Sequence, residues 1–99
     1  MRRGHTARIH WSPEQIALGL PRITRTIDPT MFDGAHPIRD EGWSLICDFE
    51  VPPSEQGDPS TAHVQFFVEG APHERLIPGT VLWMFERATQ QNARVEILD

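Results

Sequence analysis

The sequence predicts an all-β fold, a small antiparallel barrel of about six strands with one short helical turn near residues 13–18. Three observations predict it. Short runs of alternating apolar and polar residues recur along the chain, clusters of glycine and proline separate them, and no stretch carries the 3.6-residue period of a long amphipathic helix. With 99 residues there is room for one hydrophobic core and not two, so a single domain over residues 1–99 is expected.

Thr6 to Trp11 alternates, with Ala7, Ile9 and Trp11 on one face and Thr6, Arg8 and His10 on the other. Ser12-Pro13-Glu14-Gln15 then forms a capping box: a serine N-cap, proline at the first helical position and glutamine three residues on. Gly19 and Pro21 stop that element after one or two turns. Arg22 to Ile27 is a weaker strand, with Arg25 on the face of Ile23 and Ile27, which places it at an edge or near a mouth. Asp28 to Gly42 holds Pro29, Gly34, Pro37 and Gly42 and reads as a long connection, interrupted by a short pairing at Met31 and Phe32.

Trp43 to Val51 is the clearest strand, with Trp43, Leu45, Cys47, Phe49 and Val51 on one face. Pro52-Pro53 ends it, and Ser54 to Ser60 reads as a mobile turn. Ala62 to Val68 places Ala62, Val64, Phe66 and Val68 inward before Gly70 and Pro72 break it. Pro78-Gly79 carries the signature of a type II turn, with glycine supplying the positive φ. Thr80 to Glu86 is a strand apolar on both faces, Gln90-Gln91-Asn92 marks a hairpin turn, and Ala93 to Leu98 is the last strand.

The order of these segments resembles a known family. The Ser12-Pro13-Glu14-Gln15 loop, Gly19-Leu20-Pro21-Arg22, Asp28-Pro29-Thr30-Met31-Phe32, Ala62-His63-Val64-Gln65-Phe66-Phe67, Ala71-Pro72, Leu76-Ile77-Pro78-Gly79 and Ala93-Arg94-Val95-Glu96-Ile97-Leu98 together resemble the C-terminal β-barrel domain of elongation factor Tu. They are more similar still to small free-standing bacterial proteins of that barrel type. The resemblance covers nearly the whole chain and implies barrel closure and a strand order. Two segments depart from the family pattern: Gly19-Leu20-Pro21-Arg22 replaces a glycine-glycine-arginine turn that bears on transfer-RNA contact, and Glu86-Arg87-Ala88-Thr89 replaces a glutamate-glycine hairpin. The chain has no lysine, so it has no P-loop and does not hydrolyse GTP.

Composition narrows the function classes. Apolar residues make up 38% and charged residues 23%, which is ordinary for a globular protein and excludes disorder as the expectation. The longest apolar run, Val81 to Phe85, is far short of the roughly 18 residues a membrane helix needs. The start, Met1-Arg2-Arg3-Gly4-His5, has the charge of a signal peptide, but Arg8, His10 and Glu14 interrupt any apolar stretch behind it, so a cytoplasmic location is expected. The single cysteine agrees with a reducing compartment. Net charge is -5, split between six arginines against three acids in residues 1–39 and three arginines against eleven acids in residues 40–99. The leading account of that asymmetry is a solvated surface.

Candidate chemistry is sparse. His5, His10, His36, His63 and His73 show no zinc-ligand spacing, and the position four residues after His73 is Ile77, so His73-Glu74 does not start a zincin motif. No metal or cofactor is expected. Cys47, between Leu45 and Phe49, reads as core rather than nucleophile, and Ser12 and Ser44 lack the glycine-flanked turn of a hydrolase. Asp28, Asp33, Asp40 and Glu41, with His36 among them, read as a solvated loop before they read as an acid–base pair. Trp11, Trp43 and Trp83 read as barrel filling.

One feature points outward. Ile46, Phe67, Leu82, Met84 and Leu98 lie opposite the main apolar rows of their strands, and if gathered on the outside they form a docking patch. The competing account is that Ile16, Leu18 and Leu20 of the capped turn cover them. The first hypothesis is therefore a non-catalytic interaction module that docks a protein partner, or a second copy of itself, through an apolar strand face. The alternative is an RNA- or ribosome-associated factor using Arg2, Arg3, Arg8, Arg22 and Arg25, against which the net negative charge counts. An enzyme ranks third, since fold alone does not decide chemistry.

Overall fold

A computed structural model describes residues 4–36, 39–87 and 90–99. The element order is β1 (His5–Trp11), α1 (Pro13–Leu18), β2 (Arg25–Phe32), β3 (Trp43–Asp48), α2 (Pro53–Gln56), β4 (Ser60–Phe66), a 3-10 turn at His73–Arg75, β5 (Val81–Arg87) and β6 (Gln90–Ile97). The six strands close into an antiparallel barrel in the order β1-β4-β3-β2-β5-β6, with β6 returning to β1. The predicted fold class holds, including the helical turn at 13–18.

Local chemistry sets the elements. In α1 the Ser12 hydroxyl accepts from the Gln15 amide at 3.1 Å and Pro13 opens the first turn. The Pro78-Gly79 turn closes as expected, with Thr80 N donating to Ile77 O at 3.0 Å and Gly79 at φ +91°. Gly4 is required by contact rather than φ, because a Cβ there would come within 2.9 Å of the Val64 carbonyl.

The interior is filled from every strand. Ile9, Leu45, Val64, Leu82, Val95 and Ile97 are essentially inaccessible, and each contributes about 1.5–3 kcal/mol by leaving water. One end is plugged by Phe32, Phe66 and half-buried Trp43, with the Phe32 and Phe66 rings edge-on at 5.9 Å. On β1, Trp11 donates through Nε1 to Ser60 Oγ at 3.0 Å, and its amide donates to Asp58 Oδ1 at 2.8 Å.

Several boundaries differ from the expectation. β2 runs through Asp28-Pro29, which the sequence assigns to a connection, and the expected pairing at Met31 and Phe32 is its second half. Proline is tolerated there for a reason of direction: Asp33 N donates to Val81 O, so odd-numbered β2 residues turn their amide positions toward β5. Pairing with β5 covers only Thr30–Phe32 among the described residues, so Pro29 removes no ladder bond. Ser54 to Ser60 is not a plain turn, since α2 occupies its start and the Gln56 side chain bonds Val51 O at 2.6 Å and both backbone groups of Thr61. Gln90-Gln91-Asn92 lies within β6, and the connection to β5 falls at residues 88–89, outside the described residues. Val51 and Val68, expected inward, lie past the strand ends and are exposed.

The largest correction concerns β5. Leu82 and Met84 face the core at 0% and 1% exposure, whereas Val81, Trp83 and Phe85 take the outer positions and are half-buried. A strand apolar on both faces carries no phase of its own; register supplies it. Leu82 pairs with Val95 and Phe32, and Met84 with Ala93 and Thr30, all of them inward residues.

Candidate functional site

The five residues expected to form the docking patch separate into three groups. Leu82 and Met84 are interior and leave it. Ile46 and Phe67 remain outside, on neighbouring strands of one wall. Leu98 is exposed but lies beyond Thr6 and His63, since its amide bonds Thr6 O at 2.8 Å and Thr6 pairs with His63.

Around Ile46 and Phe67 the structure adds residues that sequence reasoning missed. Ile27 lies directly opposite Ile46, and Pro29 opposite Ser44. The Phe67 amide donates to Ser44 O at 2.9 Å, which places Phe67 beside that pair. The outer wall of β2, β3 and the end of β4 thus carries an apolar strip of Ile27, Pro29, Ile46 and Phe67, with Ile27 at 51% and Phe67 at 61% exposure. α1 does not cover it, because Ile16 and Leu18 are themselves exposed; only Leu20 packs against the core. A signal for Ile27 exists in the sequence, its shared face with Ile23, but Arg25 between them obscures it.

Among the described residues the titratable groups are dispersed. Cys47 is fully buried, and burial, then the neighbouring Asp28 charge, pushes its thiol up to about 12, so no thiolate is available. Asp28 points inward on β2, and partial burial raises its carboxyl above the usual range. It stands apart from the other carboxylates: Asp33 accepts from Trp83 Nε1 at 2.8 Å and Asp40 from the His36 amide at 2.6 Å. Asp33, Asp40 and Glu41 line an open basin of about 520 Å³ with Phe32, Trp43 and Arg75, where the Arg75 guanidinium already sits 3.7 Å over the Phe32 ring.

The histidines are dispersed. His5 contacts Asp99 O at 3.0 Å, and His73 Nε2 contacts Val68 O and Glu69 O at 3.1 and 3.0 Å. Among the described residues no three His, Cys, Asp or Glu side chains gather as a metal site. Of the three tryptophans, Trp11 is core as expected, Trp43 is half-buried against the core, and Trp83 stands on the outer wall.

The arginines proposed for nucleic acid are spread out. Arg25 meets Asp48 through two bonds of 2.7 and 3.2 Å, and Arg8 lies 3.8 Å from Glu96. Arg22 is exposed in the segment before β2, and Arg2 and Arg3 lie outside the described residues. Among the described residues no helix is long and apolar enough to cross a membrane. No family model, curated protein or solved structure matches this chain.

Proposed function

We propose that the protein is a non-catalytic interaction module that docks a protein partner through the apolar outer wall of β2, β3 and β4. The observation that carries this reading is the outer strip of exposed Ile27, Pro29 and Phe67 with half-buried Ile46, gathered around Ser44 on a barrel whose interior is filled by side chains. Cys47 and the scattered carboxylates and histidines support a non-catalytic role. The pairing of Arg8 and Arg25 with carboxylates reduces the positive charge open to phosphate, which favours a protein over an RNA partner.

Kinship with the C-terminal barrel of elongation factor Tu, in the form of small bacterial cytoplasmic proteins, belongs to the same proposal. It is supported by the closed six-strand barrel and the Pro78-Gly79 turn.

The test is affinity capture from the source cell with nuclease-treated lysate, comparing the natural chain with Ile27→Asp and Phe67→Asp. Both substitutions are on the surface and are expected to change stability by no more than about 0.5 kcal/mol. The expected outcome is a protein partner retained by the natural chain and lost by both variants. Capture that depends on nuclease-sensitive material, or that survives both substitutions, overturns the reading. Sedimentation of the purified chain separates a second copy from a foreign partner.

A further inference from the structure

The outer wall of β1, β6 and β5 holds a second feature, independent of the docking strip. His10, Arg94 and Trp83 occupy directly opposed positions on these three strands, and all three face outward. Side chains so placed have Cβ atoms about 4.5–5.5 Å apart, close enough to act on one ligand. The start of α1 rises beside them, so that His10, Arg94, Trp83, Gln91 and Pro13 line a cleft of about 270 Å³.

Two of these groups are prepared for a ligand in different ways. The Trp83 indole is anchored by its Nε1–H on Asp33 at 2.8 Å, which fixes the plane of the ring. Arg94 makes no ion pair with any described residue, whereas Glu96, the nearest acid along its strand, is drawn toward Arg8 at 3.8 Å and His10 at 3.6 Å. His10 Nε2 is enclosed and turned toward Glu96 at 3.6 Å, within ion-pair distance though too long for a hydrogen bond, so His10 forms part of the cleft wall. An anchored indole and a guanidinium without an ion pair to any described residue thus meet in one cleft.

We propose that this cleft binds a flat aromatic ring bearing an anionic oxygen group. The ring stacks on Trp83, and the anion takes the Arg94 fork, whose geometry suits carboxylate and phosphate alike. Gln91 supplies hydrogen bonds to the ring edge. The volume lies just below the roughly 300–1,000 Å³ of sites for drug-sized ligands, so one aromatic ring system with the arm that carries its anion fits and a second aromatic system does not. A nucleoside monophosphate and an aryl carboxylate are the two sources of this chemistry.

Calorimetric titration of the full chain with adenosine monophosphate, uridine monophosphate, 4-hydroxybenzoate, adenosine and inorganic phosphate tests it. Saturable binding below about 1 mM is expected for at least one aromatic anion, with adenosine and inorganic phosphate at least about tenfold weaker. Binding by the nucleotides or by 4-hydroxybenzoate identifies the source. Arg94→Gln should weaken binding about tenfold or more, and Trp83→Leu likewise; Trp83→Phe keeps a ring in place should the leucine variant fail to fold, and is expected to lose less. Ile27→Asp, outside the cleft on the part of β2 that pairs with β3, should bind as the natural chain does, so the cleft and the docking strip fail separately. The proposal is overturned if no aromatic anion saturates by about 5 mM, if Arg94→Gln binds unchanged, or if inorganic phosphate binds as tightly as the nucleotides.

Discussion

Two parts of the barrel wall, β2 and the strands β1, β6 and β5, are built on opposite plans. In β1, β6 and β5 the inner row is almost wholly apolar and closed to water, from Ala7, Ile9 and Trp11 through Ala93, Val95 and Ile97 to Leu82 and Met84, while charge and hydrogen-bonding capacity sit outside in Arg8, His10, Arg94 and Glu96. In β2 the inner row of Thr26, Asp28 and Thr30 is polar and the outer row carries Ile27 and Pro29, whereas β3 and β4 keep apolar inner rows. The difference follows from pairing. Residues of β1 and β6 have a strand on each side, so their inner faces are fully enclosed. Arg25 to Pro29 pair with β3 alone among the described residues, which leaves their inner face half-open and their outer face next to an unfilled edge. Enclosure on both sides enforces alternation; enclosure on one side permits its reversal.

The largest expected effect that tests this contrast is at Cys47, which lies under the half-open part of β2, opposite Thr26. With its thiol pushed up to about 12, it should react with a soluble disulfide reagent at pH 8 about a thousandfold more slowly than in the unfolded chain. Reaction at the unfolded rate would mean that the open edge admits water to the core, and the contrast between the two parts would be deeper than the structure shows.

The next effect is in the closed part. Leu82→Ala should destabilise by about 2–5 kcal/mol in a urea titration, and Val81→Ala by less than about 1 kcal/mol. The reverse ranking would place β5 in the other phase and remove Trp83 from the outer cleft.

The smallest effect is at Asp28. Its folded carboxyl titrates above its unfolded value because burial disfavours the charge, so the unfolded state loses its proton first as pH rises. The natural chain therefore loses a little stability between the unfolded value, about 3.9, and the higher folded value, and does not regain it above that. Asp28→Asn is expected to match or slightly exceed the natural chain in stability at pH 7, with the gap closing near pH 3. Lower stability of the variant at pH 7 would show that the half-open face holds Asp28 by a favourable interaction.

How much of this was legible follows the same division. The inner rows of β1, β3, β4 and β6 could be read because each alternates with polar residues and is enclosed on both sides. The short α1 could be read from its capping box, which acts within four residues. β2 could not, because Asp28-Pro29 looks like punctuation until the direction of the proline nitrogen is known. The outer strip was half legible: Ile46 and Phe67 follow from alternation, while Ile27 and Pro29 join them only through cross-strand register. The cleft of His10, Arg94 and Trp83 was hidden, since His10 is far along the chain from the other two and Trp83 has no readable phase.

By itself the sequence determined what is local or repeats with period two: an all-β chain, the Pro78-Gly79 turn, one capped helical turn, and most of the side chains that fill the barrel. Only the tertiary structure decided which face of β5 is inside, that β2 continues through its proline, and which outward residues become neighbours. The physical reason is that burial selects residue type along a strand, whereas register across strands is set by the closing of the whole barrel. A strand apolar on both faces takes its sidedness from its neighbours.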